Sequence, residues 1–307
     1  MVKKIILFGC QAISIDVLRF LHSQRGVEVS KVITYEVPSD LSLGQESIKT
    51  VASDLGIEAI SPCVITMELI NEIRDLKPDL IISAYYRKIF CKELIDIPRL
   101  GIINIHPSLL PNYRGRTPTA WAILNNEKKF GVTIHKVDDG IDTGDILVQA
   151  TNDIDDDETG YELHLKAMSL GAKLLIKNFS NIVNERIDPI KQPIGGTYYG
   201  KLKLQDFLDW QQSAQMIKNN VRVRARPYKP IETILENKRF SINKVSLEEG
   251  HNHLIEIPGK ILKVNNDDSL VVSCSDGAVH IQEYSVNPPF TGVEKEAFLQ
   301  PGRVFHV

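Results

Sequence analysis

Four short apolar runs, separated by segments with helical spacing, constrain the fold of this chain more than any other feature. Polar or turn-forming residues bound each run, and the runs cover Lys4–Phe8, Val27–Tyr35, Leu80–Ala84 and Leu100–Ile105. Apolar residues recur at helical intervals between them, in Ile15–Gln24, Gln45–Leu55 and Met67–Leu76. Buried strands that alternate with amphipathic helices are typical of a parallel sheet with helices on both faces. We therefore predict an α/β fold built on a Rossmann-like, mostly parallel sheet.

The pattern continues beyond these runs and then changes. Two further helices and two further strands are predicted, at Pro118–Asn125, Glu158–Val183, Gly131–His135 and Ile146–Ala150. Residues 187–200 contain two prolines and three glycines, a composition that favours a connection over a helix or strand. We therefore predict a first domain over residues 1–190, a linker over 191–204 and a second domain over 205–307.

The second predicted domain is smaller and consists mainly of short strands. It begins with a helical pattern at Ser213–Val223. Strand patterns follow at Thr233–Leu235, Phe240–Val245, Gly259–Val264, Ser269–Cys274 and Ala278–Tyr284. Turn-forming segments such as Asn265–Asp268 separate them. Short strands at this spacing predict a small, OB-like β-barrel.

Composition is that of an ordinary globular protein. The chain has 307 residues, of which 43% are hydrophobic and 24% charged, and its formal net charge of −3 leaves neither half strongly basic. Its four cysteines are scattered without a Cys-x-x-Cys pair, and His251 and His253 have no third ligand nearby, so no metal site is predicted. The apolar run after Lys4 is too short for a signal peptide or a membrane span. We expect a cytoplasmic protein without a membrane partner.

The turn after the first strand bears on the cofactor. Its sequence, Gly9-Cys-Gln-Ala-Ile-Ser14, lacks the Gly-x-Gly-x-x-Gly that a dinucleotide-binding turn requires. The sequence therefore argues against a nicotinamide or flavin cofactor.

Two polar side chains lie at the end of the fourth predicted strand. Asn104 and His106 are two residues apart and so face the same side of the sheet, and Pro107 ends the strand there. Ligands of open α/β sheets bind at this carboxyl end. Asp142 lies in a glycine-flanked loop that we expect to fold back over the strand ends. A histidine with an orienting carboxylate and an amide donor suits general base catalysis with oxyanion stabilisation; a structural histidine beside a capping asparagine is the alternative.

A resemblance to a known family is carried by these residues. The stretch Asn104-Ile-His-Pro-Ser-Leu-Leu-Pro-Asn-Tyr-Arg-Gly115, with Asp142 in Asp138-Asp-Gly-Ile-Asp-Thr-Gly144, resembles the signature of N10-formyltetrahydrofolate-dependent formyltransferases. Later stretches, Pro258–Ile261, Asp276–Ala278 and Pro301–Arg303, are similar to the C-terminal barrel of that family. The resemblance implies the formyltransferase fold, a catalytic first domain and N10-formyltetrahydrofolate as the co-substrate.

The resemblance also implies roles for individual residues. His106 would be the general base or proton relay for the attacking amine, and Asn104 would donate a hydrogen bond to the oxyanion of the tetrahedral intermediate. Asp142 would raise the pKa of His106 and help a proton to reach N10 of the departing folate. The residues that would line or border the folate slot are Lys88, Ile89, Phe90, Arg116, Asp138, Asp139, Gly140 and Ile141. A solvated surface residue is an equally good interpretation of Lys88, and a core residue of Phe90. His135 is typical of a structural residue or of one that orients the Asp142 loop.

The acceptor amine is argued from two other stretches. Methionyl-tRNA enzymes of this family have a basic loop after the second strand, whereas Tyr35–Glu46 has three acidic residues and no Lys or Arg. Ser83-Ala-Tyr-Tyr-Arg-Lys88 resembles the formyltransferase half of the enzyme that modifies UDP-4-amino-4-deoxyarabinose. The resemblance implies formyl transfer to a nucleotide-linked amino sugar for surface polysaccharide such as lipopolysaccharide O-antigen. Substrate contacts are expected from Tyr86, Arg87, Tyr113 and Arg114.

Other functions stay open from the sequence alone. A cluster of Arg222, Arg224, Arg226 and Lys229 keeps methionyl-tRNA as the alternative acceptor, although such cations also complement a helix end. A ligand-binding protein without catalysis is a third hypothesis. The presence of all three residues Asn104, His106 and Asp142 argues against it. The length of the chain argues against glycinamide ribonucleotide as the acceptor, and a homodimer through the second domain is expected.

Overall fold

The computed structural model of this chain describes residues 2–36, 46–250, 256–290 and 294–306. These residues form two compact units. The first comprises Met1–Thr119, Lys129–Asp153 and Leu165–Gly200, and the second Ala120–Lys128, Ile154–His164 and Lys201–Val307. The domain bounds 1–190, 191–204 and 205–307 stay a prediction, and His251 and His253 lie outside the described residues.

A large sheet forms the centre of the first unit. The strands of this unit are β1 (Lys3–Gly9), β2 (Val27–Ile33), β3 (Ala59–Ile60), β4 (Leu80–Ala84), β5 (Ile102–His106), β6 (Arg114–Gly115), β7 (Lys129–Lys136), β8 (Ile146–Asp153) and β9 (Tyr198–Tyr199). The order across the large sheet is β3-β2-β1-β4-β5-β7-β8. The pairs from β3 to β5 are parallel, whereas β5, β7 and β8 pair antiparallel. The prediction of a mostly parallel sheet is confirmed.

Helices alternate with these strands along the chain. Their bounds are α1 (Gln11–Ser23), α2 (Ile48–Asp54), α3 (Met67–Leu76), α4 (Lys92–Ile95), α5 (Pro118–Leu124) and α6 (Gly160–Val183). Side-chain oxygens of Ser47 and Thr66 accept hydrogen bonds from backbone N–H groups in the first turns of α2 and α3, which is why these helices begin there. Close packing requires glycine at position 171 of α6, because a Cβ atom there would lie 2.8 Å from the Ile105 side chain. Ile105 therefore faces α6, and its neighbours Asn104 and His106 point to the opposite face of the sheet.

The start of α1 differs from the prediction. The apolar spacing predicts a start at Ile15, whereas the helix begins at Gln11. Ser14, in its first turn, donates a hydrogen bond of 2.6 Å to the carbonyl oxygen of Ala84, the last residue of β4. A Cβ atom on Gly9 would lie 2.5 Å from that same oxygen, so only glycine allows this close approach. The first turn is therefore fixed by contact with β4 rather than by periodicity.

The second unit contains an antiparallel sheet that its last residues close. Its elements are α7 (Ala214–Val223), β10 (Ile231–Leu235), β11 (Lys238–Leu247), β12 (Ile261–Val264), β13 (Leu270–Cys274), β14 (Gly277–Asn287) and α8 (Glu294–Phe298). The strand order is β10-β11-β14-β13-β12, so β10 and β12 are the edges. His306 bridges Ile234 of β10, and Val304 bridges Lys260 beside β12. One segment thus pairs with both edges, as in a small barrel.

The region predicted as a linker contains a strand. β9, at Tyr198–Tyr199, pairs in parallel with β6, at Arg114–Gly115. Two-residue strands have no alternation that a sequence pattern could display, so both were missing from the prediction. Among the described residues, no helix is long and apolar enough to cross a membrane.

Candidate active site

His106 is the last residue of β5, and its imidazole is almost fully buried, with 4% exposed. Its Nε2 lies 2.9 Å from the carbonyl oxygen of Tyr113. Because a carbonyl oxygen only accepts hydrogen bonds, Nε2 carries the proton of this one. The neutral ring therefore has its lone pair on Nδ1, and that atom can accept a proton.

Asp142 reaches this ring from the loop between β7 and β8. β7 ends at Lys136, which pairs with Ile103 near the start of β5. The loop must therefore run back along β5 to bring Asp142 beside His106. Asp142 also has a φ of +54°, a left-handed conformation that is uncommon for a non-glycine residue and is found most often in turns and functional sites.

The Asp142 carboxylate is held among three partners. Its Oδ1 lies 3.6 Å from Nδ1 of His106 and 3.6 Å from Nε2 of His135, and its Oδ2 accepts a 2.9 Å hydrogen bond from the Gly115 N–H. The distances to the rings are longer than a hydrogen bond but short enough for a strong charge interaction. A proton on Nδ1 of His106 would therefore face a carboxylate.

Burial and charge set the ionisation of this group. Burial lowers the pKa of His106 below its usual range, and Asp142 and the Tyr113 carbonyl only partly oppose that effect. Burial of Asp142 acts to raise its pKa, but His106, His135 and the Gly115 N–H outweigh burial and lower the pKa to about 2. At neutral pH the site therefore combines a neutral imidazole with an ionised carboxylate.

Asn104 completes the predicted set through His135. The His135 Nδ1 lies 2.7 Å from the Lys136 carbonyl and so carries a proton, which leaves Nε2 of the neutral ring as an acceptor. Asn104 Nδ2 donates to that Nε2 at 3.2 Å. One amide hydrogen of Asn104 is thereby directed at His135. His135 acts as the link between Asn104 and Asp142, a position that sequence reasoning left open.

A second group of polar and aromatic side chains lies just after β4. The Arg87 guanidinium lies over the rings of Tyr35 and Tyr85, with its central carbon 5.1 Å and 5.7 Å from their centroids. The Tyr35 hydroxyl donates to the Tyr85 carbonyl oxygen at 3.3 Å, and Tyr85 has a φ of +60°. A planar cation held between rings at a strained turn is suited to binding an anion or stacking on a base.

The predicted folate residues after β4 lie in different environments. Phe90 is 9% exposed and packs edge-on against Phe8 in the core, so a contact with folate would come from its backbone. The ammonium of Lys88 donates to the carbonyl oxygens of Pro62 and Cys63, at 2.6 and 2.5 Å. Lys88 therefore secures a neighbouring loop. By contrast, the side chain of Ile89 is exposed.

The other predicted folate residues lie in the Asp142 loop or beside it. Asp138 stabilises the loop itself, because its Oδ1 accepts from the Gly140 N–H at 3.1 Å and from the Thr143 hydroxyl at 2.7 Å. Asp139, Ile141 and Arg116 are exposed. The uncommon feature is that Ile89 and Ile141 expose large apolar side chains, 76% and 43% respectively, which suits contact with an aromatic ligand.

The predicted substrate residues include two with buried or partly buried polar atoms. Tyr86 stacks on Phe90, and burial raises its pKa to about 12. Its hydroxyl is buried without a hydrogen-bond partner among the described residues. Arg114 lines a cavity of about 370 Å³ together with Pro111, Thr143 and residues 192–196. Residues 192–196 belong to the region predicted as a linker, and sequence reasoning did not assign them to a site.

Two family models match this chain. One, described as formyl transferase, matches residues 17–179, and the other, described as formyl transferase, C-terminal domain, matches residues 202–287. The chain belongs to the formyl transferase family. The range matched by the first model contains Asn104, His106 and Asp142.

Individual relatives and solved structures resemble this formyltransferase over most of its length. A methionyl-tRNA formyltransferase of Acetivibrio thermocellus is 36% identical over 287 residues, which cover 91% of both chains. The N-formyltransferase of Helicobacter canadensis, in complex with folinic acid and dTDP-3-aminofucose, has a TM-score of 0.72 at 24% identity and covers 93% of this chain and 100% of that one. A sugar 3N-formyl transferase with dTDP and 5-N-formyl-THF has a TM-score of 0.71 at 25% identity, covering 92% and 98%.

The family gives the reaction and the formyl donor. The enzyme transfers a formyl group from N10-formyltetrahydrofolate, as predicted. The described residues fit this co-substrate, since Ile89 and Ile141 expose apolar surface and a neutral imidazole stands beside an ionised carboxylate. The acceptor is a separate question, because the sequence relatives and the structural neighbours differ in the substrates that their names give.

Proposed function

We propose that this formyltransferase acts on the primary amine of a nucleotide-linked amino sugar and produces the corresponding formamido sugar, for use in surface polysaccharide such as lipopolysaccharide O-antigen. The observation that carries the proposal is Arg87 over the rings of Tyr35 and Tyr85. A guanidinium binds the oxygens of a diphosphate through paired hydrogen bonds, and tyrosine rings stack on a base or a sugar. Two solved neighbours bound to dTDP or a dTDP-sugar support this class of acceptor.

His106 is the proposed base for the acceptor amine. Its neutral ring has the lone pair on Nδ1, and a pKa below the usual range keeps the ring neutral at physiological pH. When Nδ1 takes a proton from the attacking amine, the new imidazolium lies 3.6 Å from Asp142 Oδ1. The carboxylate stabilises that charge and can pass the proton on toward the leaving nitrogen. These roles of His106 and Asp142 are the ones that the family resemblance implies.

Asn104 is the proposed oxyanion donor. One of its amide hydrogens is directed at His135, which fixes the orientation of the amide. The second hydrogen is then in a set position to donate to the formyl oxygen as negative charge develops on it. A donor that is oriented before the reaction costs no reorganisation during the reaction.

The cations of the second unit support a small acceptor over tRNA. Arg222 and Arg224 are 7% and 5% exposed, and their guanidinium groups donate to backbone carbonyls within the unit. Lys229 pairs with Asp206 at 3.1 Å. Arg222 and Arg224 are therefore already used, whereas Arg226 and Lys229 stay exposed. Phosphate neutralisation, the main source of affinity for nucleic acids, would within this cluster fall to these two exposed cations.

The proposal is tested by a panel of acceptors. The purified enzyme is incubated with N10-formyltetrahydrofolate and each of several dTDP-, UDP- and GDP-linked amino sugars, and products are followed by mass spectrometry. We expect at least one sugar to gain the mass of one CO at its amine, with tetrahydrofolate released in equal amount. No product with any sugar, together with turnover of methionyl-tRNA, would overturn the proposal.

Methionyl-tRNA is the second candidate acceptor. It is favoured by the curated relatives, which are methionyl-tRNA formyltransferases at 31–36% identity across most of the chain. A protein that binds tRNA through phosphates loses affinity steeply as salt rises. Binding of methionyl-tRNA is therefore measured at increasing salt beside the sugar panel. Tight, salt-sensitive binding with formylation of the methionine would assign the enzyme to this second function.

A further inference from the structure

The segment of residues 190–199 holds both loops that supply the active site. On one side it binds the loop that follows β5: Thr197 accepts the Tyr113 N–H on its hydroxyl at 2.8 Å, and its carbonyl oxygen accepts the Arg114 N–H at 3.0 Å. The rings of Tyr113 and Tyr199 stack at 5.1 Å, with 10° between their planes. This matters for catalysis because the Tyr113 carbonyl selects the protonation of His106.

On its other side the same segment binds the Asp142 loop through one side chain. The amide nitrogen of Gln192 donates to the carbonyl oxygens of Asp142 and Gly144, each at 2.8 Å. Carbonyl oxygens only accept, so the orientation of this amide is fixed with its nitrogen toward the loop. The Gln192 Oε1 is buried and has no hydrogen-bond partner among the described residues. Both donors of the side chain are therefore committed to the two residues on either side of Thr143.

The Asp142 loop needs such support. Asp142 has a left-handed φ of +54°, which costs free energy in a residue other than glycine. Gly144 approaches β7 so closely that a Cβ atom would lie 1.9 Å from the Lys136 carbonyl oxygen. A strained turn persists only when its surroundings over-determine it. The two hydrogen bonds from Gln192 restrain the backbone on which the carboxylate is mounted, and the Gly115 N–H restrains the carboxylate itself.

We propose that Gln192 is a positioning residue for the formyl transfer reaction: its amide holds the Asp142 backbone so that the carboxylate stands at its observed distance from His106 and His135. Gln192 need not touch either substrate for this role. The inference rests on the proposed roles of His106 and Asp142, and it does not depend on which amine is the acceptor.

The test is the Gln192→Met variant, in which a side chain of similar length has no amide. With Asp142 less restrained, its carboxylate spends less time near Nδ1 of His106, and the electrostatic support for the imidazolium weakens. The titratable groups that face His106 are Asp142 and His135. Asp142 acts to raise the pKa of His106, so the variant should lower that pKa further. We also expect kcat to fall about 10- to 100-fold, as displaced catalytic groups do, with little change in either KM.

The readout that a merely structural role would not move is the titration of His106. It is recorded by NMR on protein labelled at its histidine rings, with the His106 signal identified by its absence in His106→Gln. This measurement uses no acceptor, so it separates failure of this inference from failure of the proposed acceptor.

The matched control is Gln149→Met. Gln149 also donates through its amide to two acceptors, the Leu110 carbonyl and the Thr133 hydroxyl, at 2.9 and 2.8 Å, but it does not bond the Asp142 loop. Gln149→Met should lower the melting temperature by about as much as Gln192→Met does, but it should leave the pKa of His106 unchanged. The double variant Gln192→Met/Asp142→Asn should titrate like Asp142→Asn alone. The inference is overturned if Gln192→Met titrates like wild type, if Gln149→Met shifts the His106 titration as much as Gln192→Met does, or if the double variant shifts it beyond Asp142→Asn.

Discussion

Arg222 in the second unit and His106 in the first unit are both buried, but their polar atoms are used in different ways. In the second unit, Arg222 donates through Nε to Asn219 and through Nη1 to the backbone carbonyls of Asp155, Asp156 and Glu158, at 3.0 to 3.3 Å. In the first unit, His106 has one nitrogen bonded to a carbonyl and the other facing a carboxylate at 3.6 Å, beyond hydrogen-bond distance. The Arg222 guanidinium has hydrogen-bond partners for its charge, whereas the His106 imidazole keeps an unused lone pair on Nδ1.

This difference separates structural polar groups from reactive ones. A buried cation whose donors meet fixed acceptors has little to gain from a ligand, because binding would break existing hydrogen bonds. A buried neutral base beside an ionised acid is ready to take up a proton, and its surroundings stabilise the charged product. The comparison therefore predicts that substitutions of reactive groups such as His106 change catalysis, whereas substitutions of structural groups such as Arg222 change stability.

The largest effect is expected for His106→Gln. Glutamine keeps a hydrogen bond to the Tyr113 carbonyl but cannot accept a proton from the amine, so kcat should fall by about 10³-fold or more. Steady-state kinetics with the acceptor identified by the panel measures this. His280→Gln, at a histidine bonded to Ser269 in the barrel, is the control and should leave kcat in place. Equal activity of the two variants would break the comparison.

Asp142→Asn is expected to come next, with kcat lower by about 10²-fold. It also predicts a pH effect of definite sign. Asp142 raises the pKa of His106 against the effect of burial, so its removal lowers that pKa further. Activity that needs neutral His106 falls below this pKa, and the acid limb of kcat/KM should therefore move to lower pH in the variant. A shift to higher pH would contradict the assignment of His106 as the base.

Arg222→Met should leave kcat unchanged and destabilise the protein. The variant removes a charged donor from backbone carbonyls, and we expect unfolding by urea to show a loss of about 2 kcal/mol. Lys128→Met, which removes an exposed ion pair with Asp156, is the control and should cost about 0–1 kcal/mol. A loss of methionyl-tRNA formylation with no loss of stability would place Arg222 in a binding role instead.

The placement of Asn104 and His106 at the carboxyl end of β5 could be predicted because local rules decide it. Strand alternation puts Asn104 and His106 on one face, and Pro107 ends the strand beside them. Asp142 was placed by the spacing of the family signature together with its glycine-rich loop. These inferences needed neither the register of β7 nor the path of the loop, and both of those came from the structure.

The support of the site could not be predicted, because contacts distant in sequence decide it. Gln192 bonds residues about fifty positions earlier, and Thr197 and Tyr199 bond residues more than eighty positions earlier. Such contacts leave no periodic signal, and the glycines and prolines around them indicated a linker. The cluster around Arg222 left tRNA binding and a helix-end role open; Arg222 does lie in the last turn of α7, but the contacts of its donors with carbonyls of residues 155–158 could not be predicted.

The smallest effect, and the one that sharpens the comparison most, is expected for Arg87→Lys. Arg87 lies between the two cases, since its cation is stacked on Tyr35 and Tyr85 but stays exposed to a ligand. Lysine keeps the charge and loses the planar fork, so KM for the nucleotide-linked acceptor should rise by about 10-fold or less while kcat changes little. Arg19→Lys, at an exposed arginine paired with Glu46, is the matched control and should leave both constants in place. A fall in kcat with constant KM would mean that Arg87 acts on the reaction itself. Arg87 would then belong with His106 among the reactive groups and not among the binding groups.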